Sequence, residues 1–451
     1  MRVSPKEYFN IVKNSPFLRS VSVLVSGTFI SQFITFITIP IVSRLYNEQA
    51  YGEFAIYAST TNIVLGIGAL GLSSAIMAPK EMHRSKDVFF TAYVIEVIVF
   101  SLFFIAALCF APFFHFYKIS IPYILAIGLC YIYMMIYGFS ALLSTYVNRL
   151  KLNRILFWNS VITACCIIFI TIPLGYFGFG ALGFILAGIF GSLASSIQML
   201  TKVNPFHKIL RLNEMVSVCK EFKKYIFFQF PSNLMDTISV QLPNQIFSAS
   251  FGNTALGGYA MSERVLGYPI RLIAAPIGTI YFRHATNYVH DGKLIELGRF
   301  TYSFINKILL IAFFPLVLFM IFSQKLFGFV LGSKWETAGL IASILAIQYV
   351  LKFCEQCITY CLVVLNHQKI NFLVSIIKLL IIGASLGIGI IFFNNILDTI
   401  LCYAIGSSFM LMVNISTDFY YLGIPFPKVF LPIILFVTGA VALTLSVHYF
   451  L

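Results

Sequence analysis

Charge is scarce in this sequence. Of 451 residues only 10% are Asp, Glu, Lys or Arg, against 59% hydrophobic and 16% aromatic, and the mean hydropathy is +0.92. A soluble globular domain carries far more charge than this. Polar intervals large enough to form a soluble domain are also missing. Apolar stretches of the roughly 20 residues that a helix needs to cross hydrocarbon recur from about residue 21 to the C-terminus. Nor is there the ten-residue alternation of a membrane barrel, because runs such as VFFTAYVIEVIVFSLFFIAALCFA (88–111) are continuous. These exclusions leave an all-α polytopic membrane protein.

Chemical signatures are equally sparse. There is no GxxxxGK[ST] phosphate loop, so the chain is not by itself an ATP-driven pump. No nucleophile constellation, metal cluster or glycosyltransferase acidic motif stands out, and the external loops are too short for a polymerase or ligase acting on lipid-linked sugars. The expectation is a protein that is not an enzyme and uses no cofactor. Nine cysteines are present, and all but Cys219 fall in apolar stretches, where a free thiol behaves as a small hydrophobe. Cys354, Cys357 and Cys361 share one helical stripe, yet no His or further Cys completes a metal set, which makes them packing residues. The formal net charge of +14 does not point to nucleic acid, because the basic residues are scattered singly rather than gathered on one module.

Thirteen spans are expected, at 21–42, 52–78, 88–111, 119–147, 155–176, 179–201, 225–250, 256–282, 300–323, 338–365, 370–393, 397–421 and 428–449. The first apolar stretch has no small-residue cleavage site after it and is expected to stay as the first helix. Threaded from a cytoplasmic N-terminus, twenty-one of the thirty Lys and Arg fall inside and only Arg44, Lys118, Lys325 and Lys334 outside, the bias that resistance of basic residues to translocation produces.

SRLYNEQAYGEFA (43–55) aligns without gaps to SASFGNTALGGYA (248–260), an offset of 205 residues that contains six spans. An even number of spans gives both halves the same orientation, so the expected symmetry is a pseudo-twofold along the membrane normal. The domain reading is a six-helix lobe over 1–201, a linker over 202–224, a second six-helix lobe over 225–421 and an extra helix over 422–451. The linker carries six Lys and Arg. Its Ile209, Leu210, Leu212, Met215, Val216 and Val218 suggest either a short amphipathic helix on an anionic leaflet or a solvated loop.

Five basic residues lie inside apolar helices, where exposure to lipid is costly and a water-filled path or a ligand is the usual reason for them. Arg264 and Arg271 are two helical turns and roughly 10 Å apart on one face. Guanidinium groups so spaced suit the oxygens of a diphosphate. Lys352 and Lys378 add charge at comparable depth, while Lys307 is near enough to a helix end to snorkel. Glu96, Asp236, Glu263 and Glu355 are the acidic candidates, for coupling to protons or sodium or for simple pairing with the cations. Pro231, Pro243, Pro269 and Pro276 interrupt the helices that carry Asp236 and the two arginines, which suits rocking between conformations.

Arg44-Leu45-Tyr46, Tyr51-Gly52 and the helix leading to Ala78-Pro79-Lys80 resemble the segment after the first span in Wzx-type polysaccharide flippases, of the multidrug and oligosaccharidyl-lipid exporter superfamily. The resemblance implies a MATE-like fold of twelve or so helices around a central cavity. It also implies movement of an undecaprenyl-diphosphate-linked oligosaccharide, such as an O-antigen or capsule repeat unit, across a bacterial inner membrane by alternating access. The partners implied are membrane lipids and glycan polymerase and chain-length machinery, with no nucleic acid. Arg264, Arg271, Lys352 and Lys378 are the positions suited to the diphosphate. A multidrug exporter of the related type is the alternative.

Overall fold

The computed structural model describes residues 16–110, 120–365 and 368–450. The expectations that fall on residues 1–15, on 111–119 with Lys118 and on 366–367 lie outside them. Every regular element described is helical. The chain divides into two compact units, one of Met1–Leu45 with Thr60–Leu234 and one of Tyr46–Ser59 with Met235–Leu451.

The first unit holds α1 (Pro16–Leu45), the later turns of α2 (Glu48–Gly68), the short α3 (Leu72–Ala75), α4 (Met82–Cys109), α5 (Tyr123–Arg149), α6 (Asn153–Tyr176), α7 (Ala181–Leu200) and α8 (Leu212–Glu221). Here α1 packs along α6, α6 on α7, α7 on α5 and α5 on α4. Lipid supplies no hydrophobic drive between helices, so close backbone approach and interhelical hydrogen bonds replace it. Ser140 and Ser195 hydroxyls meet at 2.7 Å between α5 and α7. A core of Leu72, Val88, Phe89, Leu143, Tyr146 and Met199 draws in Val203, Val218 and Phe222, so the linker packs as part of this unit.

The second expected span is cut short. α2 stops at Gly68, and the chain turns through left-handed Leu70 (φ 46) and Gly71 (φ 79). A side chain at Gly71 would meet the Tyr225 carbonyl at 2.8 Å, which reserves the position for glycine. The Ala78-Pro79-Lys80 turn that follows is tied down from α5, because Arg149 donates to the carbonyls of Pro79 and Lys80.

The second unit holds the first turns of α2, most of α9 (Phe230–Pro269), α10 (Ala275–His290), α11 (Leu294–Leu331), α12 (Glu336–Ile358), α13 (Cys361–Val364), α14 (Gln368–Phe393), α15 (Ile396–Tyr421) and α16 (Phe426–Phe450). α11 and α12 pair along their length, α12 packs on α15, α15 on α14, and α16 closes against α11. Their common core includes Leu309, Leu351, Cys354, Cys361, Ile415 and Phe419. Cys354, Cys357 and Cys361 are buried free thiols.

Eleven stretches among the described residues are long and apolar enough to cross a membrane. One of them, Tyr225–His290, runs for 66 residues, about 100 Å if it were straight, more than three times a hydrocarbon core. It is broken at Gly252, whose φ of 83° and ψ of 172° are not helical. The two pieces restore the expected seventh and eighth spans. α2 is not among the eleven: it carries Glu48, Gln49, Asn62 and Glu53, the last buried and hydrogen-bonded to Gln49 at 2.9 Å.

Gly252 occupies the repeat position of Asn47, where the break between α1 and α2 falls, with Asn47 accepting from the Ala50 N–H at 2.9 Å. Both repeat copies therefore break at the same place. Within the second unit they also cross. A side chain at Gly52 would collide with the backbone of Asn253, and one at Gly257 with the backbone of Glu48. Gly52 and Gly257 are repeat equivalents, and so are Glu48 and Asn253. A reciprocal contact of this form is what a local twofold axis through the crossing produces.

Candidate functional site

The candidate site is built on α9, α12 and the first turn of α2, all in the second unit. Around Arg271 the helix widens. Pro269 and Pro276 lack the N–H that would continue an α ladder, and the segment between them, Ile270–Ala274, takes the wider π winding, a distortion common at functional positions. A second π turn, Tyr225–Gln229, precedes Pro231.

Each cation in this region rests on an aromatic face. The Arg264 guanidinium lies 5.8 Å from the centre of the Tyr51 ring. Tyr51 is itself held edge-on by Trp335 at 5.1 Å and by Tyr46 at 6.5 Å. Arg271 stacks 4.7 Å from the Tyr268 ring and donates from Nη2 to the Arg264 carbonyl at 3.2 Å, in the space that glycine leaves at position 267. Lys352 Nζ lies 5.1 Å from the Tyr349 ring, and the Tyr349 hydroxyl donates to Glu263 at 2.9 Å. Arg271 is near enough to Tyr349 to act on it electrostatically. Tyr51, Tyr268 and Tyr349 are buried while Arg271 is exposed, so the rings form a rigid bed with charge on its open side. Cation–π contact itself consumes no N–H donor, so apart from the Arg271 bond to the Arg264 carbonyl and the Arg264 bond to Tyr268, donors remain for an anion.

Among the described residues no carboxylate lies within 4 Å of the nitrogens of Arg264, Arg271 or Lys352. Glu263 is bonded to Tyr349 rather than to its neighbour Arg264. Glu355, three residues from Lys352, accepts instead from Asn414 on α15 at 3.2 Å. Neither carboxylate forms a close ion pair with the cation beside it in the sequence.

The other expected residues have contacts of their own. Lys378 pairs with Asp236 at 3.5 Å, joining α14 to α9 in a half-exposed bridge. Asp236 thus has the cation that no nearby sequence position supplied. Glu96 sits in the first unit, 6% exposed, against Phe100 and the close-packed glycines 68 and 138, with one carboxyl oxygen lacking a hydrogen-bond partner.

Sequence reasoning missed the tyrosines. Tyr268 was within reach of it, four residues after Arg264 and three before Arg271, which is helical contact spacing. Tyr349 was within reach too, three residues before Lys352, whereas Tyr51 and Trp335 come from elsewhere in the chain, and only folding shows Tyr51 beneath Arg264 with Trp335 against its edge. Beyond them lies a buried polar layer in which Gln348 donates to Tyr403 at 3.2 Å and Tyr259 packs on Phe247 at 4.8 Å.

Comparison with known proteins gives a distant relative in sequence and several similar folds. The succinoglycan biosynthesis transport protein ExoT of Rhizobium meliloti (strain 1021) is 22% identical over 346 residues, 74% of this chain, and the match spans 66% of that relative's length. In fold, the chain is similar to the lipid II flippase MurJ in an inward closed conformation, with a TM-score of 0.66 at 13% identity over 95% of this chain and 97% of that one. It is also similar to an inward-facing multidrug resistance MATE family transporter of the MOP superfamily, with a TM-score of 0.59 at 13% identity over 89% and 98%. The family model for polysaccharide biosynthesis proteins matches residues 41–339, a stretch that starts just before the Arg44-Leu45-Tyr46 motif and takes in both arginines. The chain belongs to the polysaccharide biosynthesis protein family.

Proposed function

We propose that this multi-pass membrane protein is a flippase for lipid-linked oligosaccharides. It would carry an undecaprenyl-diphosphate-linked repeat unit, of O-antigen, capsule or a related glycan, from the inner to the outer leaflet of a bacterial inner membrane by alternating access. The observation that carries the reading is the set of Arg264, Arg271 and Lys352, each laid on a tyrosine and, among the described residues, none within 4 Å of a carboxylate. A diphosphate offers planar oxygen pairs to which guanidinium groups bind bidentately. The tyrosine bed holds the cations in position before the substrate arrives, which lowers the ordering cost of binding. Lys378, half satisfied by Asp236, is a second contact that the anion would gain by displacing a weak bridge. The N-terminus would be cytoplasmic, glycan polymerase and chain-length machinery would act on the delivered units, and no step would be catalysed by the chain.

The test is flipping of a fluorescent undecaprenyl-diphosphate oligosaccharide in proteoliposomes, comparing wild type with Arg264→Ala plus Arg271→Ala. Transport by wild type and its loss in the double variant are expected; equal rates would remove the arginines from the site. The multidrug likeness in fold makes an exporter of organic cations the competing reading. In that case the double variant would retain cation export, since removing positive charge does not weaken binding of a cation.

A further inference from the structure

Residues 202–224 contain an interaction surface that the transport reading does not use. The structure sorts the linker's apolar residues onto two faces. Leu210 and Val218 are buried, and Val218 with Phe222 packs against the core that contains Val88, Phe89 and Leu143. The other face is bare: Ile209 is 86% exposed, Leu212 71% and Val216 43%. Leu212 and Val216 are one turn apart on α8 and share a side, and exposed Ile209 stands in the extended segment just before the helix. Phe227, 70% exposed, continues the apolar surface into the next span.

This surface is ringed by unbalanced positive charge. The segment has two carboxylates, Glu214 and Glu221, and both are taken. Glu214 accepts from Lys208 Nζ at 2.8 Å and from the Arg211 N–H at 2.8 Å, bonds that hold its carboxyl below the usual range. Glu221 is bound by Arg84, which also reaches Asp87 at 3.3 Å. Arg211, Lys220, Lys223 and Lys224 are exposed, and among the described residues no carboxylate lies within 4 Å of them.

The helix is also fixed in place. Buried Val218 and Phe222 on one side and the Arg84–Glu221 bridge at its end clamp α8 to α4. A ring cluster in which Phe206 meets Phe89 at 5.6 Å and Tyr93 at 6.1 Å anchors the chain before it. The exposed stripe is therefore presented in one orientation. It begins within ten residues of Leu200, where α7 leaves the apolar layer, and ends at Tyr225, where the next span enters. An apolar stripe flanked by lysines suits the boundary between acyl chains and anionic headgroups, and a bilayer already lies at both ends of the segment.

We propose that α8 is seated on an anionic lipid surface, with Ile209, Leu212 and Val216 among the acyl chains and Arg211, Lys220, Lys223 and Lys224 on headgroup phosphates. The inference is independent of what the protein transports. It is tested with an environment-sensitive aminonaphthalene amino acid placed at Leu212, at Val216 or, as a control, at exposed Asn213. The full-length protein is reconstituted in nanodiscs of phosphatidylcholine alone or with about a third phosphatidylglycerol.

Emission at 212 and 216 is expected to shift to the blue when the anionic lipid is present, with a smaller shift at 213, which lies on the Lys220 side at the edge of the stripe. Lys220→Gln, Lys223→Gln and Lys224→Gln together should reverse the shift, each removed charge weakening seating about five-fold. All these positions are exposed, and an unchanged size-exclusion profile would show that the variants fold. Water-like emission at 212 and 216 in both discs would overturn the proposal. So would an equal blue shift in phosphatidylcholine alone, or a shift that appears only when membrane-free cell extract is added, which would mean a protein partner.

Discussion

Replacing Gly257 by alanine should destabilise the protein even though alanine is the better helix former. A methyl group at this position meets the backbone of Glu48, and its repeat equivalent at Gly52 meets the backbone of Asn253. Side chains can rotate away from an added methyl, but a carbonyl held in a helix yields only if the helices part. Overpacking of this kind costs about 1–3 kcal/mol, and the absence of any flexible neighbour puts Gly257 at the upper end. The helix-propensity gain from glycine to alanine returns roughly 0.5–1 kcal/mol. The net expectation is a loss of about 2 kcal/mol for Gly257→Ala, and the same for Gly52→Ala because the contact is reciprocal. Gly128 on α5 provides the control, since a methyl there meets nothing within 4 Å and only the propensity gain of roughly 0.5–1 kcal/mol applies. Thermal unfolding in detergent, followed by fluorescence-detected size exclusion, should rank Gly128→Ala at or above wild type and both crossing variants below it. Once the first substitution has parted the helices the second has less left to disturb, so the double variant should lose less than the sum. A Gly257→Ala protein as stable as wild type would refute the close crossing.

Other expectations follow from single contacts. Tyr349→Phe removes the hydroxyl that satisfies Glu263; a hydrogen bond to a charged group is worth about 1.5–3 kcal/mol, and the unfolding temperature should fall while Tyr403→Phe, which leaves Glu263 bonded, falls less. Asp236→Asn breaks a half-exposed bridge worth at most about 1 kcal/mol, so unchanged stability with altered flipping would assign Lys378 to the substrate, whereas unchanged flipping would leave it structural. Glu96→Gln keeps the shape of a buried side chain that has no cationic neighbour among the described residues and should preserve expression and unfolding temperature, while Glu96→Lys should abolish folded protein; a well-folded lysine variant would contradict the burial. Arg84→Ala leaves Asp87, 5% exposed, without its guanidinium, and should speed proteolytic cleavage of residues 202–224; an unchanged rate would show that apolar packing and the His207 contact with Asp87 suffice to hold the linker.

How much of this was legible in the sequence depended on the range of the signal. Helices were read from long apolar runs, and twelve of the thirteen expected spans correspond to apolar helices once Tyr225–His290 is divided at Gly252. The second span was drawn too long because its apolar run continues to Met77, whereas the backbone turns at Leu70 and Gly71 to accommodate the Tyr225 carbonyl. That contact joins residues more than 150 positions apart, and no local pattern announces it. Arg264 and Arg271 were found because charge in an apolar helix is rare. Their aromatic supports were not, since buried tyrosine is an ordinary core residue until its neighbour is known. Tyr51 shows both sides of this: it was noted as part of a motif beside Gly52, but its place beneath Arg264 came only with the fold. Asp236 looked isolated because its partner Lys378 is on a different helix, and the linker's apolar residues could not be divided into buried and bare until α4 was seen beneath them.

The crossing of Gly52 with Asn253 and of Gly257 with Glu48 has the form of an isologous dimer contact, in which residue i meets j and j meets i, drawn inside one polypeptide. A homodimer of half-length chains could have closed through this patch, and fusion would then have spared its partners the entropy of finding one another. It also ends the obligation to stay identical. Once joined, one copy could take up Glu263, Arg264 and Arg271 where the other keeps Ala58, Ser59 and Gly66, an asymmetry that no pair of identical subunits can express.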